Sequence, residues 1–460
     1  MDKIQAEIYM RINSKKIIGL ILCITMVMAG MTSCGPQEDP TVVTFWHVYG
    51  AQTESPMNDM VAKFNKTVGK DENIRVKVTS IGSNNSVHND ILESAYGYPG
   101  ANEMPDMFIA YPKTIMEMPD KNVLVDYMDV LSKEEMDNFI PSFLEEGIVD
   151  GKQLVLPLAK STEILYLNKA VFDKFASETG ATIDELKTWE GLFGLCKKYY
   201  EWTDDQTPNV ENDGKAFFAY DDHINYFQTA IGSLGGEFFD KKGNVKYGKE
   251  FNRAWNEYSK AAIKGGMWLE NGYATEPFRT GDAICCVASS ASVMYFADKV
   301  TYSNNTEDEM KIVSMPLPTF KGGENMVIQR GAGICTVKST PEKEKACQTF
   351  IKWITEKDNN VELVTKLGYI PVTYEAYDQL PEAINGIKNS RYKSLYNAVM
   401  ETNKDYKFFV APQFKGYLEF ESKFEDEIRS IMKEGESSYD RGQSFEGARS
   451  KCLARIKRIR

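Results

Sequence analysis

Between Val42 and Tyr111, three short apolar runs alternate with stretches of helical spacing, and this alternation constrains the fold more than any other feature. The first run, Val42 to Val48, leads through Tyr49-Gly50 toward a helix. Ser55 is placed to cap that helix, Pro56 suits its first position, and Met57, Met60, Val61 and Phe64 recur on one face. Ile74 to Ile81, IRVKVTSI, alternates as a strand, and after a second helical stretch PDMFIAY, 105–111, reads as a short buried strand. Strands that alternate with helices build a parallel layer covered on both faces, so the expected class is α/β.

The pattern persists downstream. KQLVLPLAKSTEILYLNKAVFDKF, 152–175, holds two apolar runs around Pro157. A helix is expected from Thr188-Trp189-Glu190 through Tyr200, followed by a polar, turn-rich insertion at 201–214. A glycine-dense stretch, IGSLGGEFF, reaches Phe239, and helices are expected to occupy 247–264. GDAICCVASSASVMYFA, 281–297, reads as a strand entering a helix through small residues. MPLPTFKGG and VIQRGAGICTV lead to Thr340-Pro341, again a cap and a helix-starting proline, before a helix carrying Ala346, Phe350, Ile351 and Ile354. Two more helices are expected over 414–460, and there is no internal repeat or low-complexity tract.

A chain of 460 residues has room for two or three domains, and a net charge of -12 disfavours nucleic acid, which requires a basic footprint. Residues 1–34 read as an export signal rather than as part of the fold. Arg11, Lys15 and Lys16 precede an uncharged run from Ile17 to Met31, which falls short of the roughly twenty apolar residues a spanning helix needs. Met10 is an alternative start, because such signals open on their positive charges. MTSCG resembles the lipobox of bacterial lipoproteins, which makes Cys34 the expected lipidation site and first mature residue; ordinary cleavage nearby would leave it unmodified. Residues 35–40 form a short tether. Beyond Cys23 and Cys34, the cysteines are Cys196, Cys285, Cys286, Cys335, Cys347 and Cys452; without CxxC spacing they are expected to be small core residues.

The three histidines, His47, His88 and His223, lie far apart and outside any HExxH or Cys/His cluster, so no metal site is expected. The serines of Ala288-Ser289-Ser290-Ala291-Ser292 lack the GxSxG frame of a nucleophile. They read as helix caps, or, for Ser289 and Ser290, as hydroxyls offered with helix amides to a polar ligand. No GxxxxGK[ST] phosphate loop is present. The glycines of QRGAG, 329–333, suit either a crossing segment where backbone approaches a ligand or a plain turn. A glycosidase would need two facing carboxylates, which a chain with 66 acidic residues does not exclude. Trp46, Tyr49, Tyr111, Tyr220 and Tyr369 lie near strand ends, where an aromatic ring either stacks on a sugar face or packs in the core.

Several of these segments, in this order, resemble the family 1 extracellular solute-binding proteins of bacterial ABC importers. TFWHVYG with its following helix, PDMFIAY, LVDYMDVL, LPLAKSTEILYLNKAVFDKF, KTWEGL, GDAICCVASSAS, LPTFKGG, the helix after STPEKEKA, and GYIPVT together cover about 41–380. The resemblance implies a two-lobed periplasmic binding protein type II fold with an interlobe ligand cleft. The lobes would be 41–157 plus 333–372 and 158–332 plus 373–460, with crossings near Val155–Ser161, Gln329–Ile334 and Tyr369–Tyr374. Within the family, the glycerol-3-phosphate and glycerophosphodiester binders share the FWH opening, the SST-like hinge segment, the ASS cluster and GY[LI]P. Carried over, Ser161, Ser289, Gly331 and Tyr369 match their ligand contacts.

Three positions depart from that subgroup. Pro112 stands where it has a glutamate, the tyrosine expected around 85–87 is absent, and its phosphate-binding arginine aligns near Glu421. The expected ligand is therefore a carbohydrate or related polyol, with glycerol 3-phosphate or a glycerophosphodiester as the alternative. Candidate ligand contacts are His47, Tyr49, Ser161, Ser289, Ser290, Arg330, Gly331 and Tyr369. Arg330 either supplies positive charge to an anionic solute or is simply exposed. The expectation is a monomeric, lipid-anchored receptor on the outer face of the cell membrane or in the periplasm. It would have no cofactor and no catalytic residue, and it would deliver its solute to the transmembrane subunits of a permease. A surface glycosidase and a ligandless structural lipoprotein are the rival classes.

Overall fold

The computed structural model describes residues 39–50, 55–81, 84–210 and 212–459. The export signal, Cys34 and most of the 35–40 tether lie outside the described residues. The chain lays down β1 (Thr41–His47), β2 (Ile74–Ser80), β3 (Met107–Ala110) and β4 (Leu156–Pro157) in one sheet. It then moves to a second sheet with β5 (Ser161–Asn168), β6 (Phe218–Tyr220), β7 (Met267–Trp268), β8 (Cys285–Ser289), β9 (Ile312–Met315) and β10 (Met326–Arg330). It returns to the first sheet with β11 (Gly333–Thr336) and re-enters the second with β12 (Lys407–Phe409).

The first sheet has the order β2-β1-β3-β11-β4, and the second runs β12-β10-β5-β8-β6-β7 with β9 also paired to β5. The parallel expectation holds for β1 with β2 and β3, where strand, helix and strand follow one another. It fails at β11, which is antiparallel to both β3 and β4 because the chain arrives there from the other sheet. The second sheet is mixed for the same reason: β6 is parallel to β7 and β8, while β5 is antiparallel to β8, β9 and β10.

The local signals explain most boundaries. Ser55 accepts the Asn58 amide hydrogen at 3.4 Å, Pro56 opens the helix, and Met57, Met60, Val61 and Phe64 are buried. Thr188 and Thr340 cap their helices in the same manner. The Trp189 helix runs to Asp204, past its expected end at Tyr200. The extra turn lays Trp202 against Phe175 and Tyr199, a tertiary gain that the polar local sequence does not announce. After β8 the chain enters the expected helix, which is of the 3-10 type, Ser290–Tyr295. The tail forms the two expected helices, Tyr417–Asp440 and Phe445–Ile456. The six body cysteines are buried and unbridged. Among the described residues no helix is long and apolar enough to cross a membrane.

Candidate functional site

The chain passes between the two sheets at 158–160, linking β4 to β5, and at 331–332, linking β10 to β11. A third strand of backbone joins them, since Lys160 and Ile370 exchange both amide bonds, at 3.0 and 2.6 Å. Gly331 adopts φ +100, and a Cβ there would lie 2.6 Å from the Ala159 carbonyl oxygen. The segments therefore touch backbone to backbone at a residue only glycine suits.

Arg330, at the end of β10, is the centre of the polar site. Its Nη2 pairs with Asp222 Oδ2 at 2.7 Å, and its Nη1 lies 3.5 Å from Glu163 Oε1. Glu163 is the one charged residue on β5, a strand buried along its whole length. It accepts from Asn225 Nδ2 and from the Tyr220 hydroxyl, both at 2.8 Å. Burial lifts its carboxyl to about 7, against the pull of Arg330. Asp221 next door is lifted to about 6 by burial and by Asp222, while the Ala274 amide at 2.7 Å opposes the rise. Burial also opposes charge on Arg330, but Asp222 and Glu163 more than restore it.

Aromatic rings surround this cluster. Tyr49 meets Tyr369 edge-on at 5.4 Å between centroids, and its hydroxyl points to the Ala332 carbonyl at 3.4 Å. Burial raises the phenols of Tyr49, Tyr111 and Tyr369, so all three stay neutral and offer hydroxyls only. Arg330 is an electrostatic neighbour of both Tyr111 and Tyr369. Tyr273 and Tyr295 stand more exposed on the same side, the former beside Asp221 and Asp222 and the latter beside Tyr369.

The structure brings the eight sequence candidates into one neighbourhood, with different degrees of access. Ser161 pairs with Arg330 across β5 and β10, and Gly331 packs on the Ser161 backbone. The Ser290 carbonyl approaches Gly368, the residue before Tyr369; its own hydroxyl is buried without a hydrogen-bond partner among the described residues. Ser289 caps the 3-10 turn by accepting from the Ala291 amide at 3.2 Å. His47 is fully buried: Nε2 meets Asn58 Oδ1 at 2.9 Å and Nδ1 accepts the Tyr49 amide hydrogen at 3.2 Å. No group of histidine, cysteine and acidic residues among the described residues has the arrangement of a metal site.

Sequence reading missed Glu163, Asp222, Asn225, Lys160 and Glu146. Lys160 Nζ lies 2.5 Å from Glu146 Oε2 and 2.8 Å from the Gly331 carbonyl oxygen, tying a helix to two crossing segments. A signal for two of these residues was available: Lys160 and Glu163 are the only charges in LPLAKSTEILYL, with apolar residues on both sides. A charge in such a place demands a buried partner, though the sequence does not say which.

Residues 59–389 match the family model described as bacterial extracellular solute-binding protein. The chain is 22% identical, over 411 residues, to the sn-glycerol-3-phosphate-binding periplasmic protein of Brucella melitensis, covering 83% of this chain and 88% of that one. It is 21% identical to the galactooligosaccharide-binding protein of Bacillus subtilis over 367 residues, 75% of this chain and 78% of the relative. The crystal structure of a cyclic alpha-maltosyl-1,6-maltose binding protein from Arthrobacter globiformis superposes with a TM-score of 0.66 at 16% identity, covering 91% of this chain and 99% of the other. That likeness gives the fold, the two-lobed architecture of periplasmic binding proteins. Members of the matched family are exported proteins that bind small-molecule solutes and deliver them to the permeases of ABC importers. This chain belongs to the bacterial extracellular solute-binding proteins.

Proposed function

We propose that the chain captures an uncharged carbohydrate or polyol in the cleft between its lobes and hands it on without covalent chemistry. One observation carries this reading: the basic side chains of the site already have carboxylate partners. Arg330 has Asp222 and Glu163, and Lys160 has Glu146; beside them Lys113, which lies over the Tyr111 ring, has Glu421, and Arg429, which donates to the Asp221 carbonyl at 2.8 Å, has Glu425. Phosphate would bring up to two further negative charges beside Asp221 and Asp222, with no unmatched cation in that set to receive them. Hydroxyl groups, by contrast, suit paired guanidinium and carboxylate edges, and tyrosine rings suit the apolar face of a sugar. The Bacillus relative's name, a galactooligosaccharide-binding protein, agrees with this; the Brucella relative's name favours glycerol 3-phosphate as the second reading.

In the proposed arrangement the lobes are 41–157 plus 333–372 and 158–332 plus 373–460, and they close on the solute because only the closed form contacts it from both sides. Tyr49, Ser161, Ser289, Ser290, Arg330, Gly331 and Tyr369 line or frame the cleft, with His47 supporting Tyr49 from behind. Cys34 carries the lipid anchor that holds the receptor at the membrane, and the receptor acts as a monomer. The test is thermal melting of the purified protein against neutral sugars, polyols, sugar acids, glycerol 3-phosphate and glycerophosphodiesters. A true solute at roughly 100 times its dissociation constant adds about 2.7 kcal/mol. Chemical turnover of any panel member would sink the receptor reading, and a response confined to the phosphates would replace the carbohydrate with the second reading.

A further inference from the structure

The helix Pro112–Glu117 follows β3 of the first sheet, and the helix Tyr417–Asp440 packs with the helices of the second, on His223–Ser233 and Lys249–Ile263. The two meet beside the Arg330 cluster. Lys113 Nζ pairs with Glu421 Oε2 and lies 5.3 Å over the Tyr111 ring and 5.6 Å over the Tyr417 ring. Glu117 Oε1 accepts the Gly416 amide hydrogen at 2.8 Å, and Gln413 Nε2 donates to the Glu146 carbonyl at 2.7 Å. These contacts join residues 267 to 308 positions apart in sequence and tie the 112–146 stretch to the 413–421 stretch. They form a latch. Lys113 and Glu421 are each only about one-fifth exposed, so their charges are screened less than those of a surface pair.

Tyr111 links this latch to the site, because its phenol lies in the field of both Arg330 and Lys113. Lys113 is thus a cation held near the cleft, and Glu421 occupies it. We propose that Glu421 is a specificity-determining residue: by pairing with Lys113 across the cleft it withholds that cation from anionic solutes, and neutralising Glu421 opens the site to phosphate-bearing ones. The inference rests on the cleft being the solute site.

The experiment is calorimetric titration of the full chain, its Glu421→Gln variant and the Lys113→Met/Glu421→Gln double variant with inorganic phosphate and with sn-glycerol 3-phosphate. Glu421→Gln is expected to bind sn-glycerol 3-phosphate at least tenfold more tightly than the unsubstituted chain, and the double variant to lose that gain. A charge-swapped Lys113→Glu/Glu421→Lys variant keeps the latch and is expected to stay as blind to both anions as the parent. No gain in a folded Glu421→Gln variant, or a gain that survives Lys113→Met, overturns the proposal. Neutral-sugar titration of the unsubstituted chain decides separately whether the carbohydrate reading stands. The anion gain and its dependence on Lys113 decide this one.

Discussion

Both nitrogens of His47 are committed inside the fold, one to Asn58 and one to the Tyr49 amide. Burial pushes its imidazole down to about 4, with the Asn58 hydrogen bond opposing the shift. The ring is neutral near pH 7, and its two hydrogen bonds fix the backbone just before Tyr49. The same depression acts on His88, pushed down to about 3 by burial and by Lys113, and on His223. A histidine with a depressed folded pKa contributes stability that is present above its unfolded pKa of about 6.5 and lost as pH falls toward the folded value. For His47 the window is therefore about pH 6.5 to 4, and the full loss is on the order of 3 kcal/mol. His47→Gln is expected to cost about 1 kcal/mol near neutrality, for the hydrogen bonds it weakens. It should also make the acid limb of stability shallower by about one proton. Denaturant melts at half-unit pH steps measure both; an unchanged acid slope would show that His47 is not a buried neutral ring.

At the scale of elements, the decisive contact is backbone on backbone where β10 gives way to β11. Gly331 combines φ +100 with surroundings so close that a methyl group there would sit 2.6 Å from the Ala159 oxygen and 2.8 Å from Lys160 Cα. Gly322 also has positive φ, +76, but faces open space. Gly322→Ala should thus cost only the conformational penalty, about 1 kcal/mol, whereas Gly331→Ala adds a steric clash and should cost about 3 kcal/mol. The measurement is the shift in urea midpoint at constant slope, and equal shifts for the two would refute the close crossing. Local chemistry made much of this level legible: caps, helix-starting prolines and apolar periodicity marked β1, β2, β3 and most of the helices. The glycines of QRGAG left a crossing and a plain turn equally open. What local chemistry did not carry was partnership. That β11 lies antiparallel between β3 and β4, that Trp202 extends its helix, and that Glu163 finds Tyr220, Asn225 and Arg330 are all set by chain return and tertiary contact. For the site, sequence reading reached the residues at strand ends but not the buried charges between them.

At the scale of the whole molecule, one apolar core runs through the crossings without a break. It includes Val43, Phe45, Ile109 and Leu156 from the first sheet, Leu158 and Ala159 from the crossing, and Ile164, Tyr166, Cys286 and Ala288 from the second sheet. Lys160 is set into this continuous core, with 4% of its side chain exposed, and it is paired there with Glu146, itself 10% exposed. Gln329 Nε2 donates to the same Glu146 oxygen at 2.5 Å, so a helix, the first crossing segment and the end of β10 meet at one carboxylate, while the second crossing joins through the Gly331 carbonyl on Lys160 Nζ. Removing the cation strands that carboxylate in a desolvated place. Lys160→Met is therefore expected to cost about 3–5 kcal/mol, while the double variant Lys160→Met/Glu146→Leu, which removes both charges, should recover most of the loss. Because the pair sits where both sheets share one core, the loss should lower a single cooperative transition rather than split it in two. Scanning calorimetry with urea melts followed at several wavelengths reads this directly. A Lys160→Met protein that unfolds in two separated steps would mean that the two sheets are stabilised independently and that the crossing does not carry the stability of the fold.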